Sequence, residues 1–548
     1  MSAELRAELP PGFTELRPHQ VDAITEAVEM FNNGIDIVFM DAPTGSGKTL
    51  IGHQIARELE ASALYVCSDK SLQDQFARDF PHGKVLKGRS NYPVGIGADD
   101  LFGERTTKYT AADCTVVEKD DPCLHCGPDG KAVCPYEGAK RAALSADLAV
   151  TNTSYLLTEA NGPGAFSGRD LIIVDEADTL ESILMGYVEY RAPHGLQKRV
   201  NLESPKKGCH KKTIVAWLED FEYRLARLNL PKTDDDYKAA RYAIQDAKKV
   251  REQLQADIDR GTDDEDKGTW LRDYDWRSKK GGDPGLILKP VKVNTFGVRN
   301  LWRHGQRWLI MSATIISADE MAESLGAVQE YDTVTVPMTF PVENREVILA
   351  PVADVTYKNM DKAIPDLAHA ISVAADEHEG ERIIVHTVSY KLARDLEDQL
   401  RRGPYKISNK RRIVTYTEGR ERERALADFK TSEGAVMLAP SMSRGIDLPD
   451  DLCRVQIIAK VPFPALGDKQ IAARLHSEGG QLWYTVKTIR DIVQMTGRAI
   501  RHEDDYATTY IFDRSFGNVW SKWKKLFPEW WREAVNTRSD VRKFIRRD

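Results

Sequence analysis

Short apolar runs, separated by stretches with helical spacing, recur along this chain of 548 residues. In the N-terminal part we predict strands at 35–40, 63–66, 148–150, 171–174 and 308–311. A second series follows at 383–385, 413–415, 435–439, 455–458 and 508–512. Strands that alternate with helices favour parallel sheets. The pattern therefore predicts an α/β chain with two parallel sheets.

Between the two series the periodicity becomes helical. Apolar residues recur every three or four positions from Ile214 to Leu228 and from Tyr237 to Ile258, with charge-rich segments around them. This region predicts a helical insertion with solvated ends. We interpret its aromatic residues as core rather than as a surface that binds nucleic acid.

Composition adds bounds on the kind of protein. With 41% hydrophobic and 29% charged residues, the chain is typical of a globular protein, and its length allows about three or four domains. No apolar stretch is long enough to span a membrane, and residues 1–11 lack the apolar core of a signal peptide, so we expect a cytoplasmic protein. The net charge of −7 does not itself predict a nucleic-acid partner, because such affinity depends on local Lys and Arg placement.

The segment 41–49 stands between a predicted strand and a predicted helix, which is the arrangement of a phosphate-binding loop. Small residues let successive backbone N–H groups point at phosphate oxygens, and the helix adds the positive end of its dipole. We predict that Lys48 holds the β- and γ-phosphates and that Thr49 holds a magnesium ion. The expected nucleotide contacts in this loop are Thr44, Gly45, Ser46, Gly47, Lys48 and Thr49.

Two carboxylates, Asp175 and Glu176, directly follow the strand predicted at 171–174. Downstream of a phosphate loop, Asp175 is predicted to bind the magnesium, directly or through water. Glu176 is predicted to orient and deprotonate the attacking water. Upstream of the loop, Gln20 opens a predicted helix, and its amide is a candidate reader of the adenine edge.

The second α/β series has no phosphate loop of its own, but it carries a candidate arginine site. Arg498 and Arg501 are three residues apart on a predicted helix and therefore share one face. Two guanidinium groups on one face can clamp a γ-phosphate as charge develops. Ser312 and Thr314 follow the strand at 308–311, and their hydroxyls are candidates for linking the nucleotide site to a second domain by hydrogen bonds.

Four of the seven cysteines cluster, with the spacing Cys114-x8-Cys123-x2-Cys126-x7-Cys134. In a reducing interior this clustering predicts metal ligation rather than disulfides. Four thiolates with one CxxC pair can hold zinc or an iron–sulfur cluster. A zinc ribbon more often has two such pairs, so the single pair, with a proline after the last cysteine, favours iron–sulfur and leaves zinc as the alternative.

Together these motifs resemble those of the XPD/DinG family of iron–sulfur DNA helicases in superfamily 2, over residues 17 to about 528. Its specific signs are Lys-Gly-Arg-Ser-Asn-Tyr at 87–92, Cys-Pro-Tyr at 134–136, the segment 461–464 and the segment 497–506. The resemblance implies ATP and magnesium between two motor domains, a 4Fe–4S cluster, 5′→3′ travel on single-stranded DNA, and unwinding of duplex or forked DNA. It makes Cys114, Cys123, Cys126 and Cys134 the cluster ligands, Arg17 and Gln20 nucleotide contacts, Gln494, Arg498 and Arg501 the γ-phosphate sensors, and Asp447 part of a nucleotide-side loop.

The fold that the resemblance implies is α/β, with two RecA-like parallel-sheet motor domains and with an iron–sulfur domain and a helical arch domain inserted in the first. We expect the first motor domain in three parts, at 1–93, 137–185 and 286–326. The iron–sulfur domain is expected at 94–136 and the arch-like insertion at 186–285. The second motor domain is expected at 327–548.

The sequence departs from the family pattern at three positions. Asp178 stands where the family usually has His, Val94 where it commonly has the first cluster cysteine, and Arg444 where an acidic residue is frequent. Two other functions are compatible with parts of the sequence. One is an ATP-switched DNA-binding remodelling factor in a larger complex, and the other is an RNA helicase, which shares the Asp-Glu-Ala-Asp box but does not account for the cysteines or the insertion. The sequence predicts no particular protein partner.

Overall fold

The computed structural model describes residues 8–68, 70–94, 109–112, 134–206, 208–231, 235–261, 270–274, 285–407, 411–441, 448–497, 499–536 and 539–546. Five predicted site residues lie outside these ranges: Cys114, Cys123, Cys126, Asp447 and Arg498.

Up to residue 335, the strands and helices that were predicted begin and end close to their predicted positions. The strands are β1 (Ile37–Asp41), β2 (Ala63–Cys67), β3 (Lys84–Val85), β4 (Pro93–Val94), β5 (Tyr109–Thr110), β6 (Leu148–Asn152), β7 (Arg169–Val174), β8 (Tyr190–Arg191), β9 (Trp270–Tyr274), β10 (Leu286–Pro290), β11 (Gly305–Ser312) and β12 (Tyr331–Thr335). The helices are α1 (Pro18–Asn32), α2 (Lys48–Glu58), α3 (Lys70–Asp79), α4 (Pro135–Ser145), α5 (Thr153–Asn161), α6 (Leu180–Val188), α7 (His194–Arg199), α8 (Lys211–Ala226), α9 (Asp235–Asp259), α10 (Asn294–Asn300) and α11 (Ala318–Leu325).

The first sheet is parallel throughout and has the strand order β12-β1-β11-β7-β2-β6-β3. Its central strands are continuous apolar runs, because helices cover both faces of a parallel sheet. The four residues 37–40 and the four residues 171–174 are all buried. Since the strands are parallel, the carboxyl ends of β1, β7 and β11 lie at one edge, where the phosphate loop, the carboxylate pair and Ser312–Thr314 follow.

Strand β12 corrects the predicted boundary at 326/327 between the motor domains. It pairs with β1 from Ile37↔Tyr331 to Asp41↔Thr335, so the first sheet continues to Thr335. Its sequence, Tyr-Asp-Thr-Val-Thr, has no apolar run, because an edge strand is covered less than a central one. Val334 is its buried apolar residue.

The insertion is largely helical, as predicted, but it also contains a small sheet. Helices α8 and α9 pack through a core that includes Trp217, Phe221, Val250 and Leu254. Strands β8, β10 and β9 form an antiparallel sheet in that order, and β10 extends this unit to residue 290, beyond the predicted end at 285.

The second sheet is also parallel and has seven strands among the described residues. The elements are β13 (Val347–Ala353), β14 (Ile383–His386), β15 (Ile413–Thr415), β16 (Val436–Ala439), β17 (Val455–Ile458), β18 (Thr508–Asp513) and β19 (Val535–Asn536), with α12 (Met360–Glu377), α13 (Tyr390–Arg402), α14 (Arg422–Thr431), α15 (Lys469–Leu475), α16 (Gly480–Thr496), α17 (Phe516–Trp523) and α18 (Glu529–Glu533). The strand order is β15-β16-β14-β17-β18-β13-β19. The prediction of two parallel sheets is therefore confirmed. In the ranges given above, no helix is long and apolar enough to cross a bilayer.

Candidate nucleotide site between the two sheets

The phosphate loop joins the end of β1 to the start of α2. Gly45 and Gly47 have φ angles of +84° and +81°, a left-handed conformation that favours glycine. A Cβ atom on Gly47 would lie 2.3 Å from Nε2 of Gln20, and one on Gly45 would lie 2.1 Å from the ring of Phe340. Backbone conformation therefore favours glycine at both positions, and a Cβ atom would also require the side chains of Gln20 and Phe340 to move. Helix α2 begins at Lys48, directly after the loop, so the N-terminus of the helix faces the loop.

Residues of α1 hold the phosphate loop from outside. Gln20 donates a hydrogen bond from Nε2 to the carbonyl of Ser46 (2.9 Å), and its Oε1 accepts one from the backbone N–H of Arg17 (2.9 Å). The Arg17 guanidinium donates to the carbonyl of Gly45 (3.3 Å). The predicted adenine reader thus lies directly against the loop, with its carbonyl oxygen and one N–H bound by the protein itself.

Asp175, directly after β7, is buried beneath the loop. Its Oδ2 accepts a hydrogen bond from the Tyr65 hydroxyl (2.8 Å), and its Oδ1 accepts one from the Glu176 N–H (2.9 Å). Burial, followed by the charge of Glu176, raises the pKa of Asp175, and the Lys48 ammonium opposes this. A desolvated carboxylate beside a second negative charge is a suitable ligand for a cation. Glu176 has a φ of +51°, a strained conformation for a residue with a side chain.

A cleft with a volume of about 110 Å³ lies between the phosphate loop and the second sheet. The first sheet contributes Thr44, Lys48, Glu176, Ala313 and Thr314 to its lining, and the second contributes Val493, Gln494, Gly497, Arg501 and Trp530. The structure therefore brings the predicted phosphate ligand, the predicted general base and two predicted γ-phosphate sensors into one cleft.

A hydrogen-bond chain crosses this cleft, as predicted for Ser312 and Thr314. Gln494 of α16 donates from Nε2 to the Thr314 hydroxyl (2.8 Å), and the Ser312 hydroxyl donates to Asp178 (3.1 Å). Arg490, one turn earlier on α16, donates from Nε to the Thr314 carbonyl (3.1 Å). The second sheet is thus tied by side chains to the segment that follows β11.

Arg501 is held in place by a buried carboxylate that follows it. Asp505 is fully buried; it forms an ion pair with Arg454 (2.5 Å) and accepts a hydrogen bond from the Arg501 N–H (3.0 Å). Possible ligand atoms of Asp450, His502 and Asp505 lie within 4.8 Å of one another. Because Asp505 already has these partners, we interpret the group as structural support for the Arg501 segment.

Asp41, at the end of β1, is a second perturbed carboxyl group near the loop. Burial raises its pKa to about 7, while the Ile315 N–H and the charges of Lys48 and Arg490 act in the opposite direction. Lys48 itself donates to the carbonyl of Ala42 (3.3 Å).

Cys134 is the predicted cluster ligand that the structure describes. Its side chain is buried at the N-terminus of α4. The next residue but one, Tyr136, packs beneath the Arg89 guanidinium (4.2 Å to the ring centre) and against the Tyr92 ring (5.6 Å between centres). The end of the cysteine region is therefore packed against the 87–92 segment.

Sequence reasoning did not identify Tyr65, Arg490 or Trp530 as residues of this site. The sequence predicts Tyr65 only as part of a buried strand, although a buried tyrosine hydroxyl needs a partner. Arg490 stands among buried residues of α16, and a cation in such a position is a signal that pattern analysis can use.

Two family models match separate parts of the chain. The model described as "Type III restriction enzyme, res subunit" matches residues 13–182, and the "Helicase C-terminal domain" model matches residues 372–534. The first range contains the phosphate loop and the carboxylate pair, and the second contains Gln494 and Arg501.

Relatives with similar sequence include two proteins of Caenorhabditis elegans. The "Regulator of telomere elongation helicase 1 homolog" is 27% identical over 158 residues, which are 25% of this chain and 16% of the relative. "ATP-dependent DNA helicase chl-1" is 29% identical over 171 residues, which are 28% of this chain and 20% of the relative. The matches therefore span a fifth or less of the length of either relative.

Solved structures match much more of the chain. A structure described as "XPD_Helicase" matches 96% of this chain and 100% of its own, with a TM-score of 0.61 and 16% identity. The Xpd4 structure from S. tokodaii matches 95% and 100%, with a TM-score of 0.55 and 15% identity. At these identities the likeness establishes the fold.

Proposed function

We propose that this chain, whose motifs and fold are those of the XPD-like superfamily 2 helicases, is an ATP-dependent DNA helicase or translocase. The observation that carries the proposal is the cleft between the two sheets. It places Lys48 and Glu176 opposite Gln494 and Arg501. Groups proposed to hold a triphosphate and groups proposed to sense its terminal phosphate thus lie on opposite sides of one opening.

In the proposed mechanism, ATP closes the two motor domains and hydrolysis lets them open. Lys48 holds the β- and γ-phosphates, Glu176 orients the attacking water, and Arg498 and Arg501 stabilise the charge that develops on the γ-phosphate. Magnesium, which Thr49 and Asp175 would hold, supplies further neutralisation of the phosphates. The buried, negatively charged surroundings of Asp175 are compatible with that ion.

The test of the nucleotide site is ATP hydrolysis in the presence of single-stranded DNA. Lys48→Ala and Glu176→Gln are expected to abolish DNA-stimulated hydrolysis with little loss of thermal stability. Lys358→Ala and Glu379→Gln, at exposed positions of the second half, serve as matched controls that retain it. Hydrolysis retained in both site variants would contradict the proposal.

Single-stranded and forked DNA are the proposed substrates, with 5′→3′ travel. Support comes from the name of one relative, "ATP-dependent DNA helicase chl-1", and from the motif resemblance. Forks with a single 5′ or 3′ tail, and RNA versions of both, distinguish the alternatives. Unwinding of the 5′-tailed DNA fork alone is expected. DNA-stimulated hydrolysis without unwinding would instead identify a remodelling factor, and stimulation by RNA alone an RNA helicase.

A 4Fe–4S cluster held by Cys114, Cys123, Cys126 and Cys134 is also proposed. When bound, the cluster would have a structural role. It would join the cysteine region into one unit that packs on the 87–92 segment. Anaerobically purified protein should contain iron and sulfide and absorb visible light. Cys134→Ser should remove that colour, whereas Cys209→Ser, in the insertion, should not. A colourless protein with stoichiometric zinc would overturn this part.

For the domain layout, we propose a first motor domain that extends to about residue 336. The iron–sulfur domain remains proposed at 94–136, and the arch-like insertion at 186–290. The second motor domain then begins after residue 336. The cluster domain and the insertion would form the passage through which the single strand enters.

A further inference from the structure

Tyr65 is a buried residue of β2 whose hydroxyl contacts Asp175, one of the two side chains proposed to hold magnesium. It donates a hydrogen bond to Oδ2 of Asp175 (2.8 Å). The residue is 1% exposed, so water does not compete for this bond. A tyrosine hydroxyl has one proton to donate, and here that proton is used on Asp175.

This arrangement follows from the order of strands in the first sheet. Strand β2 lies beside β7, with Val66 opposite Val174, and the Asp175 N–H donates to the Val66 carbonyl (2.9 Å). Side chains alternate along a strand, so Tyr65 points to the opposite face from Val66. Tyr65 belongs to the core cluster that contains residues of α1 and α2. The strand pairing therefore brings the Tyr65 hydroxyl to the carboxylate that follows β7.

The hydrogen bond has a consequence for metal binding. Together with the bond from the Glu176 N–H to Oδ1 (2.9 Å), it restrains the rotation of the Asp175 carboxylate. Magnesium demands near-ideal octahedral geometry from oxygen ligands, so restrained ligands bind it better than mobile ones.

We propose that Tyr65 is a positioning residue for magnesium, which acts by orienting Asp175 without touching the ion. This inference rests on the proposed function, because it assumes that the cleft binds a magnesium–nucleotide complex. Loss of an outer partner of a metal ligand typically lowers metal affinity about 10- to 100-fold.

The test is Tyr65→Phe, which removes only the hydroxyl. The readout is binding of a fluorescent ATP analogue at increasing magnesium concentrations, which requires no turnover. The magnesium concentration for half-maximal tightening is expected to rise about 10-fold. Nucleotide binding without magnesium should stay unchanged, as should the maximal binding at saturating magnesium.

Tyr155→Phe is the matched control. Tyr155 is also a buried tyrosine of the first half, and its hydroxyl is hydrogen-bonded to that of Tyr136 (2.6 Å), with neither residue in the lining of the cleft. This control should lose a buried hydrogen bond but keep the wild-type magnesium dependence. An equal magnesium dependence in Tyr65→Phe and wild type would overturn the inference. If the wild-type protein itself binds the analogue with no effect of magnesium, the proposed function fails first.

Discussion

Replacement of Arg474 by methionine is expected to weaken the interface between the two halves of the chain. Arg474, on α15, is 2% exposed. Its guanidinium forms an ion pair with Glu181 of α6 (2.8 Å), donates to the Ser324 hydroxyl (2.5 Å) and lies 4.5 Å from the centre of the Trp483 ring. The Trp483 indole N–H in turn donates to Glu181 (3.0 Å). The Arg474 guanidinium thus contacts Glu181 and Ser324 of the first half of the chain and Trp483 of the second half.

The size of the effect follows from what the substitution leaves behind. Methionine retains much of the apolar volume but no donor, so Glu181 keeps only the Trp483 bond among the two contacts described above. Removal of one partner of a buried ion pair costs about 3–5 kcal/mol. Because the Glu181 side chain is 16% exposed and partly hydrated, we expect the lower end, about 3 kcal/mol.

The assay is unfolding by urea and by heat, followed by calorimetry and by tryptophan fluorescence. The loss falls on the interface, so the two halves of Arg474→Met are expected to unfold in separate transitions. Arg420→Met is the matched control, because Arg420 forms its ion pair with Glu418 (2.7 Å) while 79% exposed. Exposed pairs contribute about 0–1 kcal/mol, so this variant should unfold like wild type.

A double variant separates the ion pair from simple packing. Glu181→Gln combined with Arg474→Met removes both charges, so it should be more stable than Arg474→Met alone. The reasoning would be refuted if Arg474→Met were as stable as Arg420→Met. It would also be refuted if the double variant were no better than the single one.

Three further substitutions test other parts of the site. Burial raises the pKa of Asp41 to about 7, so the folded state retains a proton between roughly pH 4 and 7 that the unfolded chain has lost, and wild-type stability falls as pH rises through that window. In urea unfolding, Asp41→Asn should remove up to about 4 kcal/mol of this fall in stability. Parallel profiles of stability against pH for the variant and the wild type would contradict the prediction. Gln494→Leu removes the hydrogen bond to Thr314, so ATP hydrolysis should fall about fivefold with nucleotide binding retained, whereas Thr314→Ser, which keeps the hydroxyl, should be unaffected. Gly47→Ala should weaken nucleotide binding about tenfold, because alanine escapes a left-handed backbone cost of about 1–2 kcal/mol when the loop leaves the conformation that binds phosphate. Gly380→Ala has the same backbone cost, with no described heavy atom within 4 Å of the added Cβ, and should leave binding unchanged; equal losses in the two variants would contradict the prediction.

The central strands and the local motifs could be predicted from the sequence for one physical reason. A parallel strand buried on both faces must be apolar at successive positions, as at 171–174, and such a run is visible without knowledge of its partners. The phosphate loop is equally local, because its function depends on neighbouring residues. The same reasoning failed for β12, β8 and β9, which do not form continuous apolar runs, and it missed the three apolar residues 286–288 of β10.

Other features depend on residues that are far apart in the chain. Tyr65 and Asp175 are separated by 110 positions, and Glu181 and Trp483 by 302. In the sequence, Tyr65 is indistinguishable from a tyrosine that only fills a core. Its partners become evident once the order of β2 and β7 in the sheet is known. The contact between Arg474 and Glu181 likewise requires knowledge of how the two sheets face each other.

Asp178 stands where the family usually has His. The hydrogen bonds around it indicate what a carboxylate does at this position. An ionised carboxylate only accepts, so the Ser312 hydroxyl must donate to it. The Ser312 oxygen then accepts from the Thr314 N–H (3.1 Å) and lies 3.4 Å from the Thr314 hydroxyl. With Gln494 donating to that hydroxyl, every proton in the chain points from the second sheet toward Asp178.

Such a one-way chain is polarised along its length, because each donor strengthens the next. An imidazole at position 178 could donate as well as accept, and it would permit the opposite direction. With a carboxylate at position 178, the hydrogen bonds can run only from Gln494 toward Asp178. Their direction therefore depends on the presence of Gln494 in the cleft. We therefore expect Asp178→Asn, which can donate to Ser312, to reduce ATP hydrolysis by about as much as Gln494→Leu. In the double variant the two losses should not add, because both interrupt the same chain. Additive losses in the hydrolysis rate would show that Asp178 and Gln494 act separately.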